Sequence, residues 1–251
     1  MKSFLDAVSR TVNPVTAPVG VNLVKDAAAV AGAKVRLRDR RINVCQQVAY
    51  SRYYGWSTWV GAAHSHCALG AAAAGLLTLP ERIREGSVNA GVYQKDREAA
   101  ARMLASLPRV PGGVQGVLTY PAARPVEGFS PEVVVVYLNS AQAMRFVQAF
   151  LHRDGGEFVM RSSGDAGVCS RGIAQPFITG EPVIEIPCLG DRRFAMTQDS
   201  ELLVGIPAAW LDRVAEGLEA THKAGIRYPV PFQMPEACDL PEPYTVRASD
   251  R

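Results

Sequence analysis

Five cysteines lie in a chain of 251 residues, and four of them, Cys45, Cys67, Cys169 and Cys188, stand where regular elements are expected to begin or turn. Thiols at such places suit metal or cluster ligation, because a helix start offers unpaired backbone N–H groups and a favourable dipole to a thiolate. Cys45 falls in the first turn of a helix predicted over 43–55, with Asn43 as N-cap and Gly55 as its C′ residue. Cys67 opens a second helix predicted to begin at Ser65 or His66 and to run through Leu76. Cys169 lies in the Gly- and Ser-rich stretch RSSGDAGVCSRG, and Cys188 in the turn Pro187-Cys188-Leu189-Gly190-Asp191-Arg192-Arg193.

The spacing restricts the chemistry. No C-x-x-C is present, so an ordinary zinc ribbon or a bacterial ferredoxin run, both built on short chelating loops, is excluded. Ligands scattered over separate elements remain compatible with an iron–sulfur cluster. Four thiolates satisfy such a cluster, whereas three leave one iron open to a substrate as a Lewis acid. Against this stands the plain alternative that free cysteine is a small buried hydrophobe.

Other candidates are sparser. His64 and Cys67, three apart, share a face if the helix is continuous and then reach one metal, with His66 pointing elsewhere. Arg192 has a fork geometry suited to a carboxylate or phosphate, or to pairing with Asp191, Asp199 or Glu201. Tyr50, Tyr53, Tyr54, Trp56 and Trp59 are the densest aromatic group, expected to line a pocket beside Cys45 or to fill core. No G-x-S-x-G elbow, H-E-x-x-H or phosphate-loop signature occurs.

Two readings from different classes follow. The first is a cysteine-ligated metalloprotein holding an iron–sulfur cluster through Cys45, Cys67, Cys169 and Cys188, with a redox or substrate-activating role. The second is a cofactor-free small-molecule-binding or sensor protein in which Arg192, Tyr53 and Trp56 take an anionic ligand.

The elements that must position these residues are legible in part. The spacing of Phe4, Leu5, Val8 and Val12 predicts a short helix over 3–12, and APVGVNLV a strand entered through Pro18. KDAAAVAGAK is expected to be a loop or short helix. KDREAAARMLASL predicts a helix ending near Pro108. Strand candidates Val114 to Tyr120 and Val133 to Leu138 lead to the helix AQAMRFVQAFLHR, capped by Asn139 or Ser140. Strand candidates Pro182 to Pro187 and Glu201 to Ile206 lead likewise to AAWLDRVAEGLEATHK. The recurrence suggests a degenerate duplication of a β-hairpin-plus-helix unit. Without βαβ alternation the order favours an α+β fold, an antiparallel or mixed sheet with helices packed on it.

Composition bounds the rest. With 48% hydrophobic and 20% charged residues, the chain is expected to fold as one domain over 1–251, ending in a proline-rich extension over 228–251 that contains Cys238. A formal charge of +3 is too small for a nucleic-acid footprint, and the run Lys34, Arg36, Arg38, Arg40, Arg41 reads as a solvated edge. The Ala/Gly-rich stretch Cys67 to Pro80 is too short to span a bilayer. Met1 to Val24 lacks the apolar core of a signal peptide, so a cytoplasmic protein with reduced thiols is expected. A substrate or redox partner is not specified by these residues.

The order PVGVNLV, VCQQVAYSRYYGW, HCALGAAAAGL, PEVVVVYLNSAQAMRFVQAF, GVCSRGIAQPFITGEPVIEIPCLGDRRF and SELLVGIP resembles domain of unknown function family 169, over roughly residues 15–220. The resemblance implies a globular α+β domain with recurrent cysteines at positions 45, 67, 169 and 188. Cys238 lies outside it.

Overall fold

The computed structural model describes residues 1–36, 39–231 and 240–250; Cys238, and Arg38 of the basic run, lie outside these. Six strands form one sheet, β1 (Val19–Val24), β2 (Thr58–Gly61), β3 (Gly116–Pro121), β4 (Val133–Leu138), β5 (Val183–Glu185) and β6 (Leu202–Pro207), in the order β2-β3-β1-β4-β6-β5. All neighbouring strands run antiparallel. With its helices this is an α+β fold, as expected.

Period-two alternation assigns the side chains of each strand to two faces. On one face Val134, Val136 and Leu138 of β4 and Val204 and Ile206 of β6 meet Phe4, Phe146, Phe150, Val214 and Leu218. These come from helices α1 (Lys2–Thr11), α6 (Ser140–Leu151) and α9 (Leu211–Lys223). Helices α6 and α9 approach closely because Gly217 has no side chain: a Cβ there would stand 2.6 Å from the Ala149 carbonyl oxygen. On the other face Val133, Val135 and Tyr137 join Val19, Val21, Leu23 and Leu203 against Val44, Val48, Ala71, Val168 and Ile173. That second face carries the cysteines.

The helices covering it are α2 (Val44–Tyr54), α3 (Ala68–Ala73), a π-helical segment (Gly167–Ala174) continued by α7 (Gln175–Thr179), and α8 (Leu189–Ala195). Helices α4 (Glu81–Arg84) and α5 (Arg97–Ser106) flank them. Helix α2 is bounded as its sequence predicts: Gln46 returns its Oε1 to the Asn43 N–H at 2.9 Å, and Gly55 ends the helix at φ 67°. The Gly/Ser-rich stretch around Cys169 is irregular over 161–166 and helical from Gly167 onward. Its entry residue, Ala166, takes the left-handed conformation at φ 53°, and the segment is wound with π geometry.

The expected duplication is only partly expressed. β5 and β6 form a paired hairpin, but β3 and β4 do not pair, because β1 is inserted between them. What recurs is the strand-plus-helix portion, β4 with α6 and β6 with α9.

Candidate functional site

The four cysteines of the matched pattern sit at the starts of four helical segments. Cys67 is the N-cap of α3 and Cys188 the N-cap of α8, while Cys45 and Cys169 lie in the opening turns of α2 and the π-helical segment. Two short tethers draw these starts together. The chain before α2 is tied to the chain before α3 through Ile42, whose N–H donates to the His64 carbonyl (3.0 Å) and whose carbonyl accepts from the His66 N–H (3.1 Å). This brings Cys45 and Cys67 side by side although a strand separates them in the chain.

The second tether is the carboxylate of Asp191. Its Oδ2 accepts from the Val168 N–H and from the Cys188 N–H, both at 3.1 Å, so one side chain joins the start of the π-helical segment to the start of α8. Gly167 makes room for it, since a Cβ there would lie 2.4 Å from that same oxygen. Gly70 joins the two halves: a Cβ at this position would stand 3.7 Å from the Cys169 Sγ and 3.8 Å from the Cys67 Cβ. The Gly70 N–H points at the Cys67 sulfur at 3.4 Å.

All four thiols consequently line a single cavity of about 410 Å³, together with Asn43, Gln46, His66, Gly70, Asp165, Asp191 and Phe194 among others. Its size falls in the range of ordinary ligand sites. Cys67 is exposed at the mouth; the other three are half-buried.

Burial dominates the electrostatics. It pushes the Cys45 and Cys169 thiols well up, each further raised by the Asp191 charge and by the neighbouring cysteines. Cys188 is pushed up to about 12 by burial and then by Asp191. Burial also raises Asp191, opposed by its backbone donors. The helix-start position of Cys45 therefore does not yield a free thiolate: desolvation outweighs the dipole. Acidic groups crowded around one apolar cavity cannot ionise together without a countercharge.

The histidine expectation needs correction. His64 ends a short 3-10 turn (Ala62–His64) and Ser65 is extended, so no continuous helix links His64 to Cys67 and the shared-face argument does not apply. His66, not His64, lines the cavity. The proposed anion-binding group is also divided. Arg192 directs its Nη1 to the Gln198 carbonyl (2.8 Å) and Asp199 (3.4 Å), the internal pairing foreseen for it. The Tyr53 hydroxyl donates to the Met196 carbonyl (2.8 Å) and accepts from Arg52 (2.6 Å). Trp56 stacks on Tyr50 with centroids 5.4 Å apart. None of the three lines the cysteine cavity.

Sequence reasoning missed Asp191 as a member of the site and gave it only as a partner for Arg192. The signal was present: an Asp three residues after the N-cap Cys188 is the capping-box position. Among the described residues, no three His, Cys, Asp or Glu side chains are grouped so as to hold a single metal ion. No helix among them is long and apolar enough to cross a membrane.

The uncharacterised protein MJ0308 of Methanocaldococcus jannaschii is similar to this chain, 26% identical over 184 residues that cover 72% of this chain and 78% of the relative. No solved structure matches. The profile of DUF169, described as an uncharacterised ArCR family, matches residues 7–217 and so spans every element that builds the cavity; the chain belongs to this family.

Proposed function

We propose that this protein is a cysteine-ligated metalloprotein that holds an iron–sulfur cluster through Cys45, Cys67, Cys169 and Cys188 and uses it in a redox or substrate-activating role. The observation that carries the reading is the convergence of these four thiols, remote along the chain, on one cavity.

The donor set fits the group. All-thiolate ligation suits soft iron–sulfur centres. The thiolates of a cluster sit on different irons and stand farther apart than the ligands of one ion, so ligands drawn from four separate helix starts suit a polynuclear centre. When bound, such a cluster supplies one-electron transfer, or Lewis acidity at an iron that lacks a thiolate. The chain's own contribution is placement. Asp191 fixes the start of α8 against the π-helical segment, the Gly70 N–H donates toward the Cys67 sulfur, and the surrounding wall is mainly apolar. Cys67, exposed at the mouth, is the thiol that faces an incoming substrate or partner. A reducing, cytoplasmic location suits thiols that must stay unpaired.

Purification without oxygen tests this. Brown protein with several irons and matching acid-labile sulfide per chain is expected, with iron content lost in the Ser variants of Cys45, Cys169 and Cys188 and kept in Cys238→Ser. Colourless, iron-free protein from cells replete in iron and sulfide would overturn the proposal.

A further inference from the structure

The four thiols of the cavity fall into two neighbouring pairs, and these cut across the order of the cysteines in the chain. Helix α3 packs on the π-helical segment and α2 packs on α8, which sets Cys67 with Cys169 and Cys45 with Cys188. Gly70 fixes the first pair. A Cβ at this position would stand 3.8 Å from the Cys67 Cβ and 3.7 Å from both the Cβ and the Sγ of Cys169. The two cysteine Cβ atoms are thus no farther apart than those two distances together, and position 70 puts no side chain between them. The electrostatics agree. After burial and Asp191, the group that raises the Cys169 thiol most is Cys67, and the one that raises Cys45 most is Cys188.

The members of the first pair differ in access. Cys67 is exposed at the mouth, with the Gly70 N–H directed at its sulfur at 3.4 Å. Cys169 lies behind it, half-buried and packed with Leu69 against Leu104, Leu107 and Ala166. An oxidant arriving from solvent meets Cys67 first, and a second thiol stands close behind to react with the product. An accessible thiol beside a sheltered resolving one is the arrangement of oxidation-sensing cysteines. Cys45 and Cys188 are both half-buried, so their pair lacks an accessible member. A disulfide needs Cβ atoms about 3.5–4.5 Å apart, and the movement that closes the first pair falls on the N-cap of a six-residue helix.

We propose that Cys67 and Cys169 form a dithiol site for small hydroperoxides, in which Cys67 is oxidised and Cys169 closes an intrachain disulfide on it. The proposal needs only two free thiols and does not rest on the metal reading of the cavity. In the first step the Cys67 sulfur attacks one peroxide oxygen as a thiolate. The O–O bond breaks, hydroxide leaves and takes up the proton that the thiol released, and Cys67 becomes a sulfenic acid. In the second step the Cys169 sulfur attacks the Cys67 sulfur. The S–S bond forms, the S–O bond breaks, and water departs with the Cys169 proton. Two thiols lose two electrons in all, and one hydrogen peroxide becomes two waters.

The test uses the full chain, reduced, freed of reductant and treated with a slight excess of hydrogen peroxide, then alkylated and digested without reduction for peptide mass spectrometry. A Cys67–Cys169 link is expected as the main product, with two of the five thiols lost. In Cys169→Ser, oxidation should stop at a Cys67 sulfenic acid that dimedone traps, whereas Cys45→Ser and Cys188→Ser should form the link as the parent does. A different dominant link, no loss of thiols, or crosslinking between chains through Cys67 would overturn the proposal, and all three are read on the parent chain, whatever the variants do. Iron is assayed in the same samples before oxidation and removed with a chelator where present. Iron-free protein that forms the link leaves the dithiol standing while the cluster reading falls; iron-loaded protein that, once stripped, forms other links does the reverse.

Discussion

The guanidinium of Arg52 lies 3.7 Å from the ring centroid of Tyr137, and both side chains are buried. Arg52 is 4% exposed and closes on Glu201 at 2.7 Å. Its Nε and Nη1 make no hydrogen bond, so the rings of Tyr137 and of Tyr53, the latter 4.4 Å away, are what offset their desolvation.

Glu201→Ala should therefore destabilise the fold by about 3 kcal/mol or more, because it leaves a buried cation without its carboxylate. Arg52→Met, which removes the charge and keeps a long side chain over Tyr137, should cost less than Glu201→Ala. Denaturant midpoints measure both. Equal midpoints for Glu201→Ala and the parent chain would show that solvent, not Glu201, neutralises Arg52.

Asp191→Ala should act on stability and on the site together. It strips the acceptor from two buried N–H groups, those of Val168 and Cys188, and leaving such donors unsatisfied costs about 1–3 kcal/mol. Since the same oxygen aligns the Cys169 and Cys188 elements, iron content should fall with it. Asp191→Asn, which keeps one acceptor oxygen, should retain more of both. An Ala variant with full iron content would remove Asp191 from the architecture of the site.

Gly205 lets the π-helical segment rest directly on the sheet. A Cβ at this position of β6 would stand 2.1 Å from the Gly172 carbonyl oxygen, so Gly205→Ala must push the segment that carries Cys169 off the strand. Overpacking of this kind costs about 1–3 kcal/mol, and a lower melting temperature is expected alongside weakened metal retention. Unchanged melting would mean that the strand and segment separate more easily than their contact implies.

Glu132 supplies a pH signature away from the cysteines. Its carboxylate accepts from the Leu23 N–H at 2.6 Å, and burial raises its pKa above the ordinary 4.5 despite that bond and the nearby Lys25. The folded chain thus holds this proton more tightly than the unfolded chain does. The resulting stabilisation is full below the ordinary glutamate value and is lost as pH rises through the folded value. Glu132→Gln can keep the bond to Leu23 through its amide oxygen, and should be more stable than the parent near neutral pH, with a flatter melting profile across the mildly acidic range. Parallel profiles for the two proteins would refute the assignment.

Much of this fold is local and therefore readable. Asn43 and Gly55 delimit α2 because a cap and a left-handed glycine act on their immediate neighbours. The valines of β4 declare a strand buried on both faces. The cysteines were legible as a set by type and by their places at segment starts, and the cavity they share is where those starts meet. Three features were not legible. The segment around Cys169 was not legible as a helix because Gly167 and Gly172 disfavour one, and tertiary contacts hold it wound, among them packing on β6, the acceptor supplied by Asp191 and the Ser170 bond to the Pro108 carbonyl. His66 replaces His64 at the cavity because Ser65 breaks the helical register, a choice made by the backbone bonds to Ile42. The place of β1 between β3 and β4 depends on contacts about a hundred residues distant, which no window of sequence contains.

That central insertion bears on the order of synthesis. The first strand of the sheet waits longest between its own synthesis and the arrival of its second neighbour, since its ladders are completed by residues 116–121 and 133–135. A nascent chain emerging at a handful of residues per second must carry Val19 to Val24 with an open edge until residues 133–135 have left the ribosome. The segment at greatest risk of aberrant association during production is therefore Val19 to Val24, and a holdase that shields it until β4 arrives would protect it.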